Sequence, residues 1–464
     1  MEEFDVVVIG GGPAGENIVE RTRADGLTVA VVEAELLGGE CSYWACIPSK
    51  TLIRPGEVLA AARRVPGARE AVTGTIDVDA ALARRDWMTG DWHDDGQVKW
   101  LDGTGGTLVR GRGRLAGERI VDVETPDGTT RRLRARRAVV LATGSTAAIP
   151  PIPGLRDIRI WDSRGVTSAK EVPRRLVVLG GGVVGVEMAQ AWRRLGSEEV
   201  TIIEGGPHLL QNEEPFVGDE LRDAFEAEGI TVLTGCKAVE AARTADDGPV
   251  TLTLDDGRAI TGDELLVAVG RRPATTDLGL ETVGLEPGKY VDVDDQLRAT
   301  GVGGGGWLYA VGDVNGRALL THMGKYQARL AADHIRGRDV RARADHGIVP
   351  RVVFTDPQVA SVGLTEKAAR EQGYDVRTVS YPMANVSAAA TRGEGAVGTG
   401  HLVVDEKRRV LVGATFTGAD IGELLHSATV AIAGEVPLDT LWHAVPSFPT
   451  MSEVWLRLLE AYGL

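Results

Sequence analysis

Short apolar runs recur along the chain, most closed by glycine and two by glutamate. Residues 4–9, Phe-Asp-Val-Val-Val-Ile, form the first. A short run this rich in β-branched residues, bounded by glycine, predicts a buried strand, as in a parallel sheet with helices above and below. Further strands of the same kind are predicted at Thr28 to Val32, Val139 to Ser145, Arg175 to Leu179, Val200 to Ile203, Leu265 to Gly270 and Leu308 to Asp313. Helices are predicted from Pro13 onward and from Pro48 to Arg64, because proline suits a first helical turn. Pro150, Pro151 and Pro153 mark a crossover between domains. From Val349 the texture changes. Val352, Val353 and Phe354, then Gly400 to Phe416, predict antiparallel strands, with helices near 365–372, 420–434 and 450–462. That mixture predicts an α+β domain.

The glycines that close two of these runs carry chemistry. Gly10, Gly12 and Gly15 form G-x-G-x-x-G directly after the first strand. The first allows the tight turn, the second lets backbone approach a pyrophosphate, and the third lets helix pack on strand. Glu33 ends the next strand, placed to accept hydrogen bonds from ribose hydroxyls. The same unit recurs at Gly180, Gly182 and Gly185, with Glu204 ending its second strand. One such pattern is weak evidence. Two in register, each with strand, helix and acid, predict two dinucleotide sites. The runs ending at Gly144 and Gly270 repeat the strand-to-glycine ending.

Length and charge narrow the class. The 464 residues suffice for two to four domains. Acidic residues outnumber basic ones, 66 to 51, for a net charge of −15, which argues against nucleic acid or anionic membrane as partner. No apolar run is long enough to span a bilayer. The opening Met-Glu-Glu-Phe-Asp is acidic and enters a strand at once, so no signal peptide is expected. Three cysteines make no disulfide framework and fit a cytoplasmic enzyme with one catalytic pair.

Two of those cysteines stand in Gly-Gly-Glu-Cys-Ser-Tyr-Trp-Ala-Cys-Ile-Pro-Ser-Lys, Gly38 to Lys50. Cys46 is expected just before a helix N-terminus, where backbone N–H groups, and a nearby lysine, favour a thiolate. Five residues apart, Cys41 and Cys46 cannot bridge from one regular helix. A disulfide needs Cα atoms within roughly 7 Å, so Cys41 is expected on a turned segment leading into the helix. The plain alternative is two small buried hydrophobes. The third cysteine, Cys236, is expected to be a core residue.

Together these motifs resemble the flavin-dependent pyridine nucleotide–disulfide oxidoreductases, which include dihydrolipoamide dehydrogenase, glutathione reductase, mercuric reductase and the soluble transhydrogenase. The resemblance covers essentially the whole chain. It implies an α/β fold with two Rossmann-like domains plus a C-terminal α+β dimerisation domain. The expected boundaries are 1–148 and 273–345 for the FAD domain, 149–272 for the inserted NAD(P) domain and 346–464 for the interface domain. It implies a homodimer whose C-terminal segment completes the partner's site. It also implies that Gly10, Gly12, Gly15 and Glu33 bind the ADP half of FAD, with Asp313 of Tyr-Ala-Val-Gly-Asp at the ribitol. Cys46 would face the flavin and Cys41 would meet substrate. Lys50 would lie near the reactive flavin nitrogen, paired with Glu187. Taken singly, Glu187 is an ordinary first-turn acid and Lys50 a solvated lysine; it is the surrounding motifs that give them roles.

For the second nucleotide, Glu204 is followed by Gly205, Gly206 and Pro207. No arginine stands there to meet a 2′-phosphate, and the carboxylate would repel one, so NADH is expected over NADPH. Arg271 and Arg272 close a different strand and are read as structural.

The pattern breaks at the C-terminus. The disulfide-reducing relatives carry His-Pro-Thr-x-x-Glu, whose histidine protonates the leaving thiolate and whose glutamate orients it. Here the match is Phe448-Pro449-Thr450-Met451-Ser452-Glu453. A positioned general acid contributes ~10² to 10⁴ in rate, and phenylalanine cannot supply it. His443 lies ten residues before Glu453 and is no simple substitute. The expected acceptor is therefore one needing no histidine base: a soft metal ion such as Hg(II), bound by thiolates, or a quinone. No resident metal is expected. Against a mercuric reductase stand the missing C-terminal cysteine pair and N-terminal metal module. A transhydrogenase is disfavoured because that group tends to lose the second cysteine. A lipoamide-type reductase with another base, and a non-catalytic redox-sensing flavoprotein, are the alternatives.

Overall fold

The computed structural model describes all 464 residues, Met1–Leu464. It divides into two compact units. One contains Met1–Pro48, Asp86–Ala148 and Arg271–His346; the other contains Ser49–Arg85, Ile149–Gly270 and Gly347–Leu464.

In the first unit, five parallel strands lie in the order Thr107–Arg110, Val29–Glu33, Glu2–Ile9, Thr130–Leu141 and Leu308–Ala310. Ile120–Glu124 and Arg112–Leu115 extend the sheet antiparallel from Thr130–Leu141. The apolar run of the first strand has a physical cause. Val6 and Val8 enter a cluster with Ile18 and Ala328 of the helices Pro13–Arg23 and Thr321–Ile335. Val7 and Ile9 enter a second cluster, with Val121, Val123 and Leu133. Both faces are covered, so alternation would bury polar groups.

The second unit holds a parallel sheet of Ile230–Thr234, Glu199–Glu204, Arg175–Leu179 and Glu264–Val267. The helix Val183–Leu195 and a three-stranded sheet, Ala238–Arg243, Val250–Leu254 and Ala259–Gly262, accompany it. An antiparallel sheet follows, ordered Arg351–Val353, Gln358–Gly363, Val410–Gly418, Thr399–Asp405 and Val376–Pro382. Its core joins Phe416 to Leu425 and Trp455 of the helices Ile421–Ala433 and Val454–Tyr462.

The expected α/β architecture with a final α+β portion is observed. Two local readings change. The helix predicted from Pro48 begins at Cys46 and runs to Arg64, so Cys46 lies inside its first turn. Pro48 is tolerated there because first-turn N–H groups have no intrahelical acceptor. Cys41 sits in a separate short helix, Gly39–Tyr43. The antiparallel strands at 112–124 and 238–262 and the helices Val78–Met88 and Asp95–Thr104 carried no distinctive sequence signal. No helix is long and apolar enough to cross a membrane.

Candidate active site

The two glycine loops are built alike. Gly10 has φ +105°, and a Cβ on it would stand 2.4 Å from Ala142 O; Gly180 has φ +112°, with Ala268 O at 2.5 Å. A Cβ on Gly15 would meet Gly10 O at 2.1 Å, and one on Gly185 would meet Gly180 O at 2.0 Å. These positions accept no side chain. Gly12 and Gly182 differ: nothing lies nearer to a Cβ than Gly39 Cα at 3.9 Å in the first, and nothing within 4 Å in the second. Each is the N-cap of its helix and supplies no side-chain cap. The glycine side of each loop is open and first-turn N–H groups have no intrahelical acceptor, an arrangement that fits a pyrophosphate. Gly144 and Gly270 each have positive φ and open surroundings.

The acids behave in parallel as well. Glu33 Oε2 accepts from Gly11 N and its Oε1 from Glu35 N, both at 2.7 Å. Glu204 Oε2 accepts from Gly181 N and its Oε1 from Gly206 N, also at 2.7 Å, with Gln211 Nε2 at 2.5 Å from Oε1. Burial pushes the Glu33 carboxyl above its ordinary value, against those backbone donors. The residues therefore fit two dinucleotides, one in each unit, with a carboxylate fixed beside each glycine loop.

The cysteine stretch leans on the first loop. Gly38 N donates to Gly11 O at 2.8 Å, and a Cβ on Gly39 would reach Gly12 Cα at 2.8 Å. Both Cys41 and Cys46 are thiols here, each partly exposed. Cys46 Sγ lies 3.3 Å from Thr321 Oγ1, the first residue of the helix Thr321–Ile335. A hydrogen bond to Cys46 pushes the Cys41 thiol up, burial and the neighbour's charge add to this, and Thr321 and Lys325 oppose it. Thr321 was not singled out from the sequence. The signal available was a threonine opening the helix that follows Gly312-Asp313.

Asp313 accepts from Ser145 Oγ at 2.5 Å, and Arg271 donates to Ser145 Oγ at 2.6 Å and to Ser145 O at 2.7 Å. Arg271 thus ties the two-stranded ribbon Ser145–Ala147 and Arg271–Pro273 together.

Lys50 and Glu187 are brought together. Lys50 Nζ lies 2.6 Å from Glu187 Oε2, and Glu187 is only 3% exposed. Phe354 N donates to the other carboxylate oxygen at 2.9 Å, and the Phe354 ring centroid stands 4.9 Å from Lys50 Nζ.

At the C-terminus, Phe448 is 74% exposed and Glu453 5%. Glu453 Oε1 accepts from Arg457 Nη2 at 2.9 Å and Oε2 from Ser387 N at 3.3 Å. Each oxygen carries one donor and keeps a lone pair that can accept another. His443 is exposed. Cys236 is not enclosed in the core: it lies half-buried at the edge of an apolar cluster, with Arg258 Nη2 donating to its sulfur at 2.9 Å.

The family described as pyridine nucleotide-disulphide oxidoreductase matches residues 4–331, and its dimerisation domain matches residues 349–458. A dihydrolipoyl dehydrogenase of Chlorobaculum tepidum is 35% identical, over 97% of this chain and 95% of that protein. A mercuric reductase of Bacillus cereus is 30% identical, over 97% of this chain and 70% of that protein. The Cu(II) complex of the HOCl-induced flavoprotein disulfide reductase RclA from Escherichia coli superposes with a TM-score of 0.85 at 26% identity, covering 99% of both chains. With two dinucleotide cradles, a cysteine pair at the first of them and a family match over most of its length, the chain belongs to the pyridine nucleotide-disulphide oxidoreductases, flavoprotein enzymes with a C-terminal dimerisation domain.

Proposed function

We propose that this enzyme oxidises NADH, in preference to NADPH, and passes the electrons by way of FAD and the Cys41–Cys46 pair to an acceptor that needs no histidine base. That acceptor is a soft metal ion such as Hg(II), or a quinone. One observation carries the reading. Phe448, which cannot transfer a proton, stands where the family motif has its histidine, and the Glu453 carboxylate is shared with Arg457 and Ser387.

Bound FAD supplies the two-electron relay between a nicotinamide and a sulfur pair. The protein's own residues do the rest. Gly10, Gly12, Gly15, Gly144, Glu33 and Asp313 hold that group, and Gly180, Gly182, Gly185, Gly270 and Glu204 hold the nicotinamide dinucleotide. Glu187 would hold the Lys50 ammonium in place through their 2.6 Å ion pair, beside the bound flavin. Two electrons and one proton would break the Cys41–Cys46 disulfide, leaving Cys46 as a thiolate beside the Thr321 hydroxyl and Cys41 as a thiol. Cys41, whose thiol is held protonated, is the sulfur that meets the acceptor. The enzyme works as a cytoplasmic homodimer.

Relatives named mercuric reductases and a copper-complexed RclA support a metal acceptor. A second reading, dihydrolipoamide dehydrogenase chemistry, is supported by the 35% identity to enzymes of that name. Steady-state NADH oxidation against Hg(II), Cu(II), quinones, lipoamide, glutathione disulfide and thio-NAD separates them, with Cys46→Ser showing which acceptors use the thiols. Turnover with metal ions or quinones at least tenfold above lipoamide is expected. Ordinary lipoamide turnover would overturn the proposal, and rapid thio-NAD reduction would favour a transhydrogenase.

A further inference from the structure

The Lys50–Glu187 pair is gripped by a segment that no motif marks. Glu187, Gln190 and Arg194 follow at i, i+3 and i+7 of the helix Val183–Leu195, so they lie along one face. All three bind residues 354–356. Phe354 N donates to Glu187 Oε1 at 2.9 Å. Asp356 N donates to Gln190 Oε1 at 2.8 Å, and Gln190 Nε2 returns a bond to Asp356 O at 2.9 Å. Arg194 Nη2 reaches Asp356 Oδ2 at 2.9 Å. The other helix is held too, because Arg64 Nη1 donates to the same Asp356 oxygen at 2.7 Å and the Phe354 ring sits beside the Lys50 ammonium at 4.9 Å. Lys50 and Arg64 are fourteen residues apart in the helix Cys46–Arg64, close to four whole turns, and so share a face.

Each contact alone is modest. Together they make residues 354–356 a strap across two helices, with the catalytic candidates at one end. Burial alone would raise the Asp356 carboxyl, yet Arg194 and Arg64 hold it below its ordinary value, so the arginine end of the strap stays charged. At the other end, Lys50 has about a third of its side chain exposed. Glu187 alone leaves the ammonium free to swing about a single salt bridge, whereas the aromatic face fixes its direction from a second side.

We infer that Phe354 and Asp356 are positioning residues for the reaction: the strap 354–356 sets the direction of the Lys50 ammonium and locks the Glu187 carboxylate against it. This rests on the role proposed for Lys50. Phe354 and Asp356 follow the strand Arg351–Val353 in the segment that matches the dimerisation domain, so that segment also shapes the surroundings of Lys50.

The test compares the wild-type flavoprotein with Phe354→Leu, Phe354→Tyr, Asp356→Asn and Lys50→Met. Two quantities are read: the rate at which NADH bleaches the flavin in stopped flow, and the rate at which trinitrobenzenesulfonate labels Lys50, followed by peptide mass spectrometry. Phe354→Leu keeps the backbone bond to Glu187. It is expected to slow bleaching roughly three- to thirtyfold, to leave NADH affinity nearly unchanged and to make Lys50 label severalfold faster. Phe354→Tyr keeps a ring and is expected to restore both. Asp356→Asn is expected to act in the same direction as Phe354→Leu. Unchanged Lys50 labelling in Phe354→Leu would overturn the strap, as would faster labelling with wild-type bleaching while Lys50→Met is slow. Wild-type bleaching in Lys50→Met would instead overturn the role of Lys50, leaving the labelling result to judge the strap.

Discussion

Arg457 donates to Glu453 across one turn of helix, Nη2 to Oε1 at 2.9 Å. In a disulfide-reducing relative that carboxylate would steady a histidine five residues before it. Here the position holds Phe448, and the carboxylate has taken an internal cation and the Ser387 amide instead. On the proposed reading, the missing histidine and the Arg457 cation that competes for the Glu453 carboxylate both lower disulfide reduction. Phe448→His alone is expected to raise lipoamide or glutathione disulfide turnover by less than about tenfold. Phe448→His with Arg457→Gln should recover more of the ~10² to 10⁴ that a positioned acid supplies. Steady-state assays of both variants check this, and a full gain in the single variant would show that Glu453 needs no release.

The thiol pair offers a direct chemical readout. The Cys41 thiol is pushed up chiefly by its hydrogen bond to Cys46, then by burial and by the neighbouring charge. In reduced protein, Cys46→Ala removes the first and third of these. Cys41 is then expected to alkylate with iodoacetamide several times faster at pH 8 than in the wild type, because only the thiolate reacts. Thr321→Val in the Cys46→Ala background should partly reverse the gain, since the Thr321 hydroxyl favours the Cys41 thiolate.

Glu16, in the first turn of the helix Pro13–Arg23, is raised by burial from 4.5 to about 7, with Lys325 opposing. The folded protein therefore binds this proton more tightly than the unfolded chain does. Between pH 4.5 and about 7 the native state holds more protons, so stability contributed by this group falls as pH rises through that window. Glu16→Gln keeps the neutral form at all pH values. Urea unfolding at pH 5 and pH 8 should show the variant losing less stability than the wild type across the interval, by on the order of 1–3 kcal/mol. An identical pH slope in the two proteins would contradict the assignment.

Glu204 should decide between nicotinamides. Its carboxylate is fixed by Gly181, Gly206 and Gln211, so it cannot turn away from an incoming 2′-phosphate. Wild-type kcat/KM is expected to favour NADH by at least about tenfold, because a like charge held at contact costs affinity. Glu204→Ala should narrow that ratio mainly through KM for NADPH. A wild-type enzyme that uses both equally would remove the basis for the preference.

Much of this molecule was legible from residue order. Val6 to Ile9 had to be a doubly covered strand, because four successive branched apolar side chains alternate between two faces and both must be dry. Gly10, Gly15, Gly180 and Gly185 announced the nucleotide loops because no Cβ fits where backbone oxygens press within 2.0–2.5 Å. Family membership followed from those loops and the cysteine stretch, and the homologues agree with it. Less legible were Thr321 and the strap at Phe354–Asp356, since neither sits in a spacing that periodicity or composition can mark.

What residue order alone determined were features written within a few turns of chain: strands, glycine loops, the acids at strand ends and the loss of a base at Phe448. Tertiary structure decided which distant groups meet. It set Lys50 against Glu187, 137 residues on, laid Phe354 over both and gave Glu453 to Ser387 as well as Arg457. The reason is physical. Local conformation depends on backbone sterics and on the alternation of apolar side chains, which neighbouring residues carry. The partner of a buried charge is whatever the packing of whole elements brings within about 3 Å, and no local pattern encodes that distance.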